Sequence, residues 1–227
     1  MITTLGDYAL DQWRAAVVEK QRYDNGRWKR SILIRGTADT FDSSSQLTEA
    51  LDTLAAATLA PEPVLLRLRP GRAVAVRLRG FEKTCHEDAI AGAFTLELEG
   101  LTPWEESDGP ATHAVSVTGD GVVCDIACSG SLPSPLSLTF TATGMVLLPV
   151  FSDGINTLAY AGVLQIGDIL EVDSVSRKVF LNGDDVSSQT TGDFLVLYPQ
   201  TTQIGFQADP EGAHTGTLTL TWRERWL

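Results

Sequence analysis

The chain has 227 residues, of which 43% are hydrophobic, and a formal net charge of −12 at pH 7. This length and composition predict one large or two ordinary globular domains and exclude an intrinsically disordered chain. No run approaches the roughly eighteen apolar residues of a membrane-spanning helix, and the N-terminal segment lacks the features of a secretory signal, so we expect synthesis in the cytoplasm.

The charge is unevenly distributed along the chain. Residues 1–83 carry 13 Lys and Arg against 10 Asp and Glu, whereas residues 84–227 carry 4 against 19. This asymmetry indicates two units with different surroundings. The acidic part is not expected to bind nucleic acid, because it would repel phosphate. An acidic surface that keeps the protein soluble explains the same charge without any ligand.

The sequence contains three cysteines. An odd, small number argues against a disulfide framework, and the spacing between Cys124 and Cys128 is not that of a usual zinc site. Cys124, Ile126 and Cys128 alternate along a predicted strand, so we predict that both thiols belong to the core.

The first sixty residues predict a turn, a strand and a helix. Asn25-Gly26 predicts a hairpin or loop within Tyr23–Trp28, because both residues tolerate positive φ. Ser31–Thr37 predicts a strand. Leucines at helical spacing, capped by Asp42 or a following serine, predict a helix over about residues 44–58.

The segment from Val64 to Arg79 predicts a hairpin around Pro70-Gly71. Four arginines alternate with aliphatic residues along its two strands: Arg67, Arg69, Arg77 and Arg79. A three-residue loop, Pro70-Gly71-Arg72, would place all four on one face of the sheet and the aliphatic side chains on the other. A half-buried sheet favours that separation, so we predict the longer loop with a bulge.

This arginine face has two interpretations. It is either a subunit interface, where guanidinium groups pair with a neighbour's carboxylates, or a solvated face with partners in the same chain, such as Glu97 and Glu99.

A polar segment with Gly-Pro and no periodicity, Glu105–Pro110, predicts a linker. We therefore predict two domains, residues 1–105 and residues 106–227. The first is predicted to be a small β-barrel or sandwich with one helix. About eight short strands, separated by turns such as Asn182-Gly183, predict that the second is an antiparallel β-sandwich of the jelly-roll or galectin-like kind.

Catalytic motifs are absent from the sequence. The three histidines, His86, His113 and His214, have no ligand-spaced partners, and no nucleophile elbow or phosphate-binding loop occurs. The acidic pairs at Asp184-Asp185 and Asp209–Gly212 could bind calcium, but solvated turns account for them more simply. We therefore predict no catalytic residue, no metal, no cofactor and no enzymatic activity.

The C-terminal sixty residues carry a recognisable order of short motifs. The first motif is Gly167–Asp173, followed by a basic strand that ends in Asn182-Gly183. The second is Gly192-Asp193-Phe194, followed by Leu197-Tyr198-Pro199. The last is a Thr-rich strand that ends the chain at Trp222–Leu227. This order resembles the C-terminal half of the distal tail (Dit-like) proteins of long-tailed bacteriophages. In the N-terminal part, Ile34-Arg35-Gly36 and Val76–Phe81 flank the predicted helix, as in the unit that phage tube and distal tail proteins share.

The resemblance implies a structural role in the virion. Proteins of this family form a homo-oligomeric ring, usually a hexamer, at the distal end of the tail of a siphovirus or a related particle such as a gene-transfer agent. The expected partners are other copies of the chain, the tail tube protein above, the hub or tip proteins below and the tape measure protein in the lumen. DNA passes through the axial channel only in transit, and no membrane is involved.

A second interpretation belongs to another class of protein. A jelly roll with exposed aromatic side chains binds carbohydrate by stacking sugars on the rings, and would serve in adhesion to a host surface. The candidate aromatic residues are Trp104, Tyr160, Tyr198 and Trp222. Ordinary core packing is the alternative for each of them.

Overall fold

The computed structural model describes residues 3–25, 27–59, 63–86 and 90–227. The chain divides into two compact units, one ending at Asp108 and also containing Leu227, the other comprising Gly109–Trp226. Each unit has a separate hydrophobic core. The described residues are mainly β with one α-helix, which confirms the predicted fold class. None of the described helices is long and apolar enough to cross a membrane.

The N-terminal unit contains eight strands and the helix in its described part. Their bounds are β1 Thr4–Leu5, β2 Tyr8–Ala9, β3 Trp13–Asp24, β4 Arg27–Ala38, α1 Ser44–Thr58, β5 Val64–Arg69, β6 Arg72–His86, β7 Ala91–Gly100 and β8 Glu105–Ser107. The strands form an antiparallel sheet in the order β2-β1-β5-β6-β7-β4-β3, and β8 pairs with β6. The long hairpin of β3 and β4 therefore lies at one edge, and the short strands β1 and β2 lie at the other.

The helix has the predicted bounds. Ser43 caps its N-terminus, because the Ser43 side chain accepts a hydrogen bond from the Gln46 backbone N–H at 3.3 Å. Leu47, Leu51 and Leu54 are buried in the same core cluster as the inward-facing residues of the sheet. The predicted helical spacing of leucines therefore covers one face of the sheet.

The register of the β5–β6 hairpin differs from the prediction. The turn has two residues, Pro70-Gly71, with Gly71 at φ +72°, and Arg69 lies opposite Arg72. A bulge between Leu66 and Arg69 absorbs the shift, so that Leu66 still lies opposite Val74 in the core. The predicted three-residue loop is therefore wrong, and a bulge within the strand sets the register. The four arginines do not share one face, because Arg69 contacts the same Glu105 as the buried Arg30.

The segment predicted as a linker is partly a strand. Glu105–Ser107 forms β8, and Glu106 lies opposite Ala73 of β6. Glu105 is only 3% exposed. The exposed part of the segment is limited to Asp108–Pro110.

The C-terminal unit consists of short antiparallel strands and a 3-10 helix at Ser187–Gln189. The strands are β9 Ala111–Val117, β10 Val122–Cys128, β11 Ser134–Pro135, β12 Ser137–Ala142, β13 Val146–Leu147, β14 Val150–Ser152, β15 Thr157–Tyr160, β16 Val163–Leu164, β17 Ile169–Asp173, β18 Lys178–Leu181, β19 Asp184–Asp185, β20 Thr190–Gly192, β21 Val196–Leu197, β22 Gln200–Gln207, β23 Gly216–Trp222 and β24 Arg225–Trp226.

Two principal sheets share one core in this unit. Their orders are β10-β22-β14-β15-β20 and β19-β18-β17-β12-β23-β9. Phe140 of the second sheet stacks on Phe206 of the first, with ring centroids 5.1 Å apart, and also lies against Phe151. The pairing confirms the predicted antiparallel sandwich, and the predicted turn at Asn182-Gly183 is present with both residues at positive φ.

A fragment of residues 109–226 is expected to fold alone, because its core cluster contains no residue of the N-terminal unit. The measurement is a thermal melt of the fragment by circular dichroism, together with limited proteolysis of the whole chain. Cleavage should occur near Asp108–Pro110 and leave this fragment intact. A fragment that melts without cooperativity would contradict the expectation.

Candidate functional site

Three of the four candidate arginines have acidic partners within the N-terminal unit. Arg67 Nε lies 2.8 Å from Asp108 Oδ1. Arg69 forms ion pairs with Glu105 and, at 3.7 Å, with Glu19. Arg79 pairs with Glu99. For these three residues the structure favours intrachain pairing on a partly solvated surface.

Arg77 is different from the other three. It is exposed and lies opposite Glu99 in the β6–β7 register, but Glu99 pairs with Arg79 instead. Among the residues that the structure describes, Arg77 forms no ion pair. The interface role of the arginine face therefore stays a prediction, and Arg77 is the residue through which it can be tested.

An ionic cluster lies beneath one end of the β3–β4 hairpin. Arg30 is 1% exposed and pairs with Glu19 and with Glu105, whose Oε1 lies 3.0 Å from Arg30 Nη2. Arg69 also contacts both carboxylates. Gly100 makes room for this cluster, because a Cβ there would lie 3.0 Å from Arg30 Cβ.

The sequence analysis did not identify Arg30. The available signal was its position in β4, where Arg30, Ile32 and Ile34 alternate on the buried side. An arginine in that series requires buried carboxylates, and they come from β3 and β8. The cluster thereby fixes the edge hairpin and the strand β8 to the same sheet.

The edge strand β3 is long and has one free side. It pairs with β4 through all twelve of its residues, and no other described strand pairs with it. Its second row of backbone N–H and C=O groups is available to another chain. The opposite edge, formed by the two-residue strands β1 and β2, has a different structure.

The end of this hairpin carries two exposed aromatic side chains. Tyr23 lies opposite Trp28 across the hairpin, and their ring centroids are 5.3 Å apart in an edge-to-face arrangement. Tyr23 is 60% exposed and Trp28 is 47% exposed. Arg22 and Arg27 are also exposed, and alternation along the two strands places them on the opposite face from the rings. Large exposed aromatic side chains are typical of protein interfaces.

A recess of about 620 Å³ lies at the opposite edge of the sheet. Helix residues Thr53, Ala56 and Ala57 form one wall, and residues from β1 through Tyr8 and from Pro63 through β5 form the rest. Asp7 lines the recess and is exposed. One edge hairpin of the N-terminal sheet therefore ends in an exposed aromatic pair, and the opposite edge carries a recess.

The candidate sugar-binding aromatic residues do not form a common exposed surface. Tyr160 and Trp222 are buried in the sandwich core, so the prediction that they face a ligand is wrong for these two. Trp104 belongs to the N-terminal unit and donates a hydrogen bond to Glu106 at 3.1 Å. Tyr198 is half-buried, with its hydroxyl 3.4 Å from Asn156 Nδ2.

No group of three or more His, Cys, Asp or Glu side chains among the described residues is arranged to bind a metal ion. His86 and His113 are exposed, whereas His214 is buried. Asp185 accepts hydrogen bonds from Ser187 and Lys178, which lower the pKa of its carboxyl to about 2. These contacts are those of a hydrogen-bonded turn.

By sequence, the chain matches no family model and no curated protein. By fold, the chain is similar to a phage protein of known structure. It is similar to the crystal structure of Dit (gp 19.1) of phage SPP1, which that work describes as a paradigm of the hub adsorption apparatus in phages that infect Gram-positive bacteria. The TM-score is 0.67 at 13% sequence identity, and the likeness covers 100% of this chain and 99% of that chain. The resemblance read from the sequence is thus confirmed as a shared fold.

Proposed function

We propose that this chain is a distal tail protein, a structural component of a long-tailed phage or of a related particle such as a gene-transfer agent. The observation that carries the proposal is the likeness to SPP1 Dit, which extends over both units and over nearly the whole of both chains. The proposed role requires no catalysis and no cofactor.

The proposed assembly is a ring of identical subunits, expected to be a hexamer, formed by the N-terminal units. A closed ring requires a heterologous interface, in which two different surfaces of the same chain meet. The N-terminal sheet supports this requirement, because the free edge of β3 and the recessed edge at β1 and β2 are different surfaces at opposite ends of one sheet.

The remaining partners follow from a place at the distal end of the tail. We propose that the ring joins the tail tube protein above to the hub or tip proteins below, with the tape measure protein in its lumen. DNA would cross the axial channel only in transit. The subunit would be made in the host cytoplasm and then incorporated into the virion.

Electron microscopy tests the proposal. Negatively stained full-length protein is expected to show rings with a central opening, and immunogold labelling of particles is expected to mark the distal end of the tail. Binding to a glycan array by a protein that stays monomeric would instead support the carbohydrate-binding function. A monomer that does not label tails would contradict the proposal.

Replacing Arg77 with glutamate is expected to prevent ring assembly while leaving the subunit folded. Loss of one partner of a desolvated interfacial charge pair typically costs about 2–5 kcal/mol, and the loss recurs at every interface of a ring. The measurement is mass by light scattering, with thermal stability recorded alongside. Arg79→Glu is the matched control, because it removes an exposed intrachain pair worth at most about 1 kcal/mol. Normal assembly of Arg77→Glu would show that Arg77 is merely solvated.

A further inference from the structure

The aromatic pair of the β3–β4 hairpin, Tyr23 and Trp28, presents apolar surface that the described part of the N-terminal unit leaves largely exposed. Trp28 alternates with Arg30 and Ile32, so it lies on the side of the sheet that is buried elsewhere in the unit. Tyr23 faces Trp28 across the hairpin and lies on the same side. Both rings lie next to the buried Arg30 on this side, and both are largely exposed.

Helix α1 packs on that same side of the sheet. Its leucines Leu47, Leu51 and Leu54 belong to one core cluster with Ile32 and Ile34. If the sheet continues from one copy into the next, the hairpin end lies in the layer that the neighbour's helix occupies. The recess lies in this layer, because Ala56 and Ala57 of the helix form one of its walls.

The two surfaces are complementary in chemistry. The recess is lined mostly by small and aliphatic residues, including Ala56, Val64 and Leu65, and has room for aromatic side chains at about 620 Å³. The other lining residues include Asp7, Thr53 and Arg67, and Arg67 already pairs with Asp108. A pair of aromatic anchors fits a mainly apolar recess of this size.

We infer that the hairpin end inserts Tyr23 and Trp28 into the recess of a second copy of this chain. The inference rests on the proposed ring and names the contact that closes each of its interfaces. The aromatic pair and the recess lie toward opposite edges of one sheet, so each copy carries both surfaces. The contact can therefore repeat head to tail.

The first test removes the two rings from the full-length protein. The double substitution Tyr23→Ser with Trp28→Ser is expected to weaken subunit association by about 30-fold or more, as truncation of interface anchors does. The melting temperature should not change, because both side chains are exposed. The matched control is Ile90→Ser, which removes an exposed apolar side chain of the same unit next to β7, away from both edges of the sheet. Sedimentation velocity gives the fraction assembled for each variant.

The second test traps the contact. A variant with Trp28→Cys and Ala56→Cys is expected to give, on oxidation, covalent oligomers on non-reducing gels, up to the size of the ring. Each single-cysteine variant is the control for the three native cysteines and should give none. Rings that survive loss of both aromatic side chains and give no 28–56 cross-link would overturn the inference while leaving the proposed function intact. Wild-type protein that never forms a ring would overturn both.

Discussion

Replacing Glu105 with alanine is expected to destabilise the N-terminal unit by about 3–5 kcal/mol, the cost of removing one partner of a buried ion pair. Arg30 is 1% exposed, and its Nε and Nη1 atoms have no hydrogen-bond partner among the residues that the structure describes. Without Glu105, the guanidinium would keep only Glu19 as a carboxylate partner. Because Arg30 is buried, water cannot replace the lost carboxylate as a partner of its guanidinium group.

Denaturant unfolding of the full-length protein measures this effect as a decrease in the free energy of unfolding of the N-terminal unit. Glu99→Ala is the matched control, because it removes a carboxylate from an exposed pair in the same unit and should cost at most about 1 kcal/mol. The double variant Arg30→Met with Glu105→Leu should recover much of the loss, since it removes both charges together. A cost for Glu105→Ala no greater than that of the control would show that the cluster contributes little.

Replacing Asp153 with alanine is expected to destabilise the C-terminal unit by about 3 kcal/mol, because buried donors would lose their acceptor. Asp153 is 4% exposed and accepts four hydrogen bonds. Its Oδ1 accepts from the backbone N–H groups of Ile155 and Asn156, at 2.9 and 2.7 Å. Its Oδ2 accepts from Asn156 Nδ2 at 2.8 Å and from the Val196 N–H at 2.7 Å. One carboxylate therefore connects the β14–β15 turn to β21.

The ionisation of Asp153 makes the stability of the C-terminal unit depend on pH. Burial by itself raises the pKa of Asp153, but the hydrogen bonds from Asn156, Val196 and Ile155 outweigh burial, and the pKa is below its ordinary value. The stabilisation is therefore fully present above the unfolded pKa, near 3.9, and is lost as the pH falls through the lower folded value.

Thermal melts at pH 7 and at pH 3 measure this contribution. Asp153→Asn is the control variant, because it keeps one acceptor oxygen and cannot titrate. The wild type should lose more stability between the two pH values than Asp153→Asn does. Equal losses would mean that other groups determine the acid sensitivity.

Local patterns predicted much of the fold because their causes are local. The leucine spacing and the Ser43 cap define the helix, and Asn182-Gly183 defines a turn, whatever surrounds them. The β5–β6 register was not predictable in this way. The alternation of arginines and aliphatic residues favoured a longer loop, but the packing of Leu66 opposite Val74 and the bulge after Leu66 set the observed register.

The candidate site was harder to predict because its parts are distant in sequence. Glu105 appeared to belong to a polar linker, and its burial depends on Arg30, 75 residues away. Tyr160 and Trp222 could not be assigned to the core until both sheets of the sandwich were known. The hairpin turn at residues 23–28 was predicted, but the free edge of β3 depends on the order of the whole sheet.

The unlike edges of the N-terminal sheet have one more consequence for the proposed ring. A ring built head to tail has a rotation axis but no two-fold axes perpendicular to it, so it is polar. Its upper and lower rims then expose different side chains, and neither rim can substitute for the other. A tube could attach to one rim and a tip to the other without any additional marker. The orientation of the tail would thus follow from a ring that closes head to tail. The sheet favours such a ring because it has a twelve-residue strand at one edge and two-residue strands at the other.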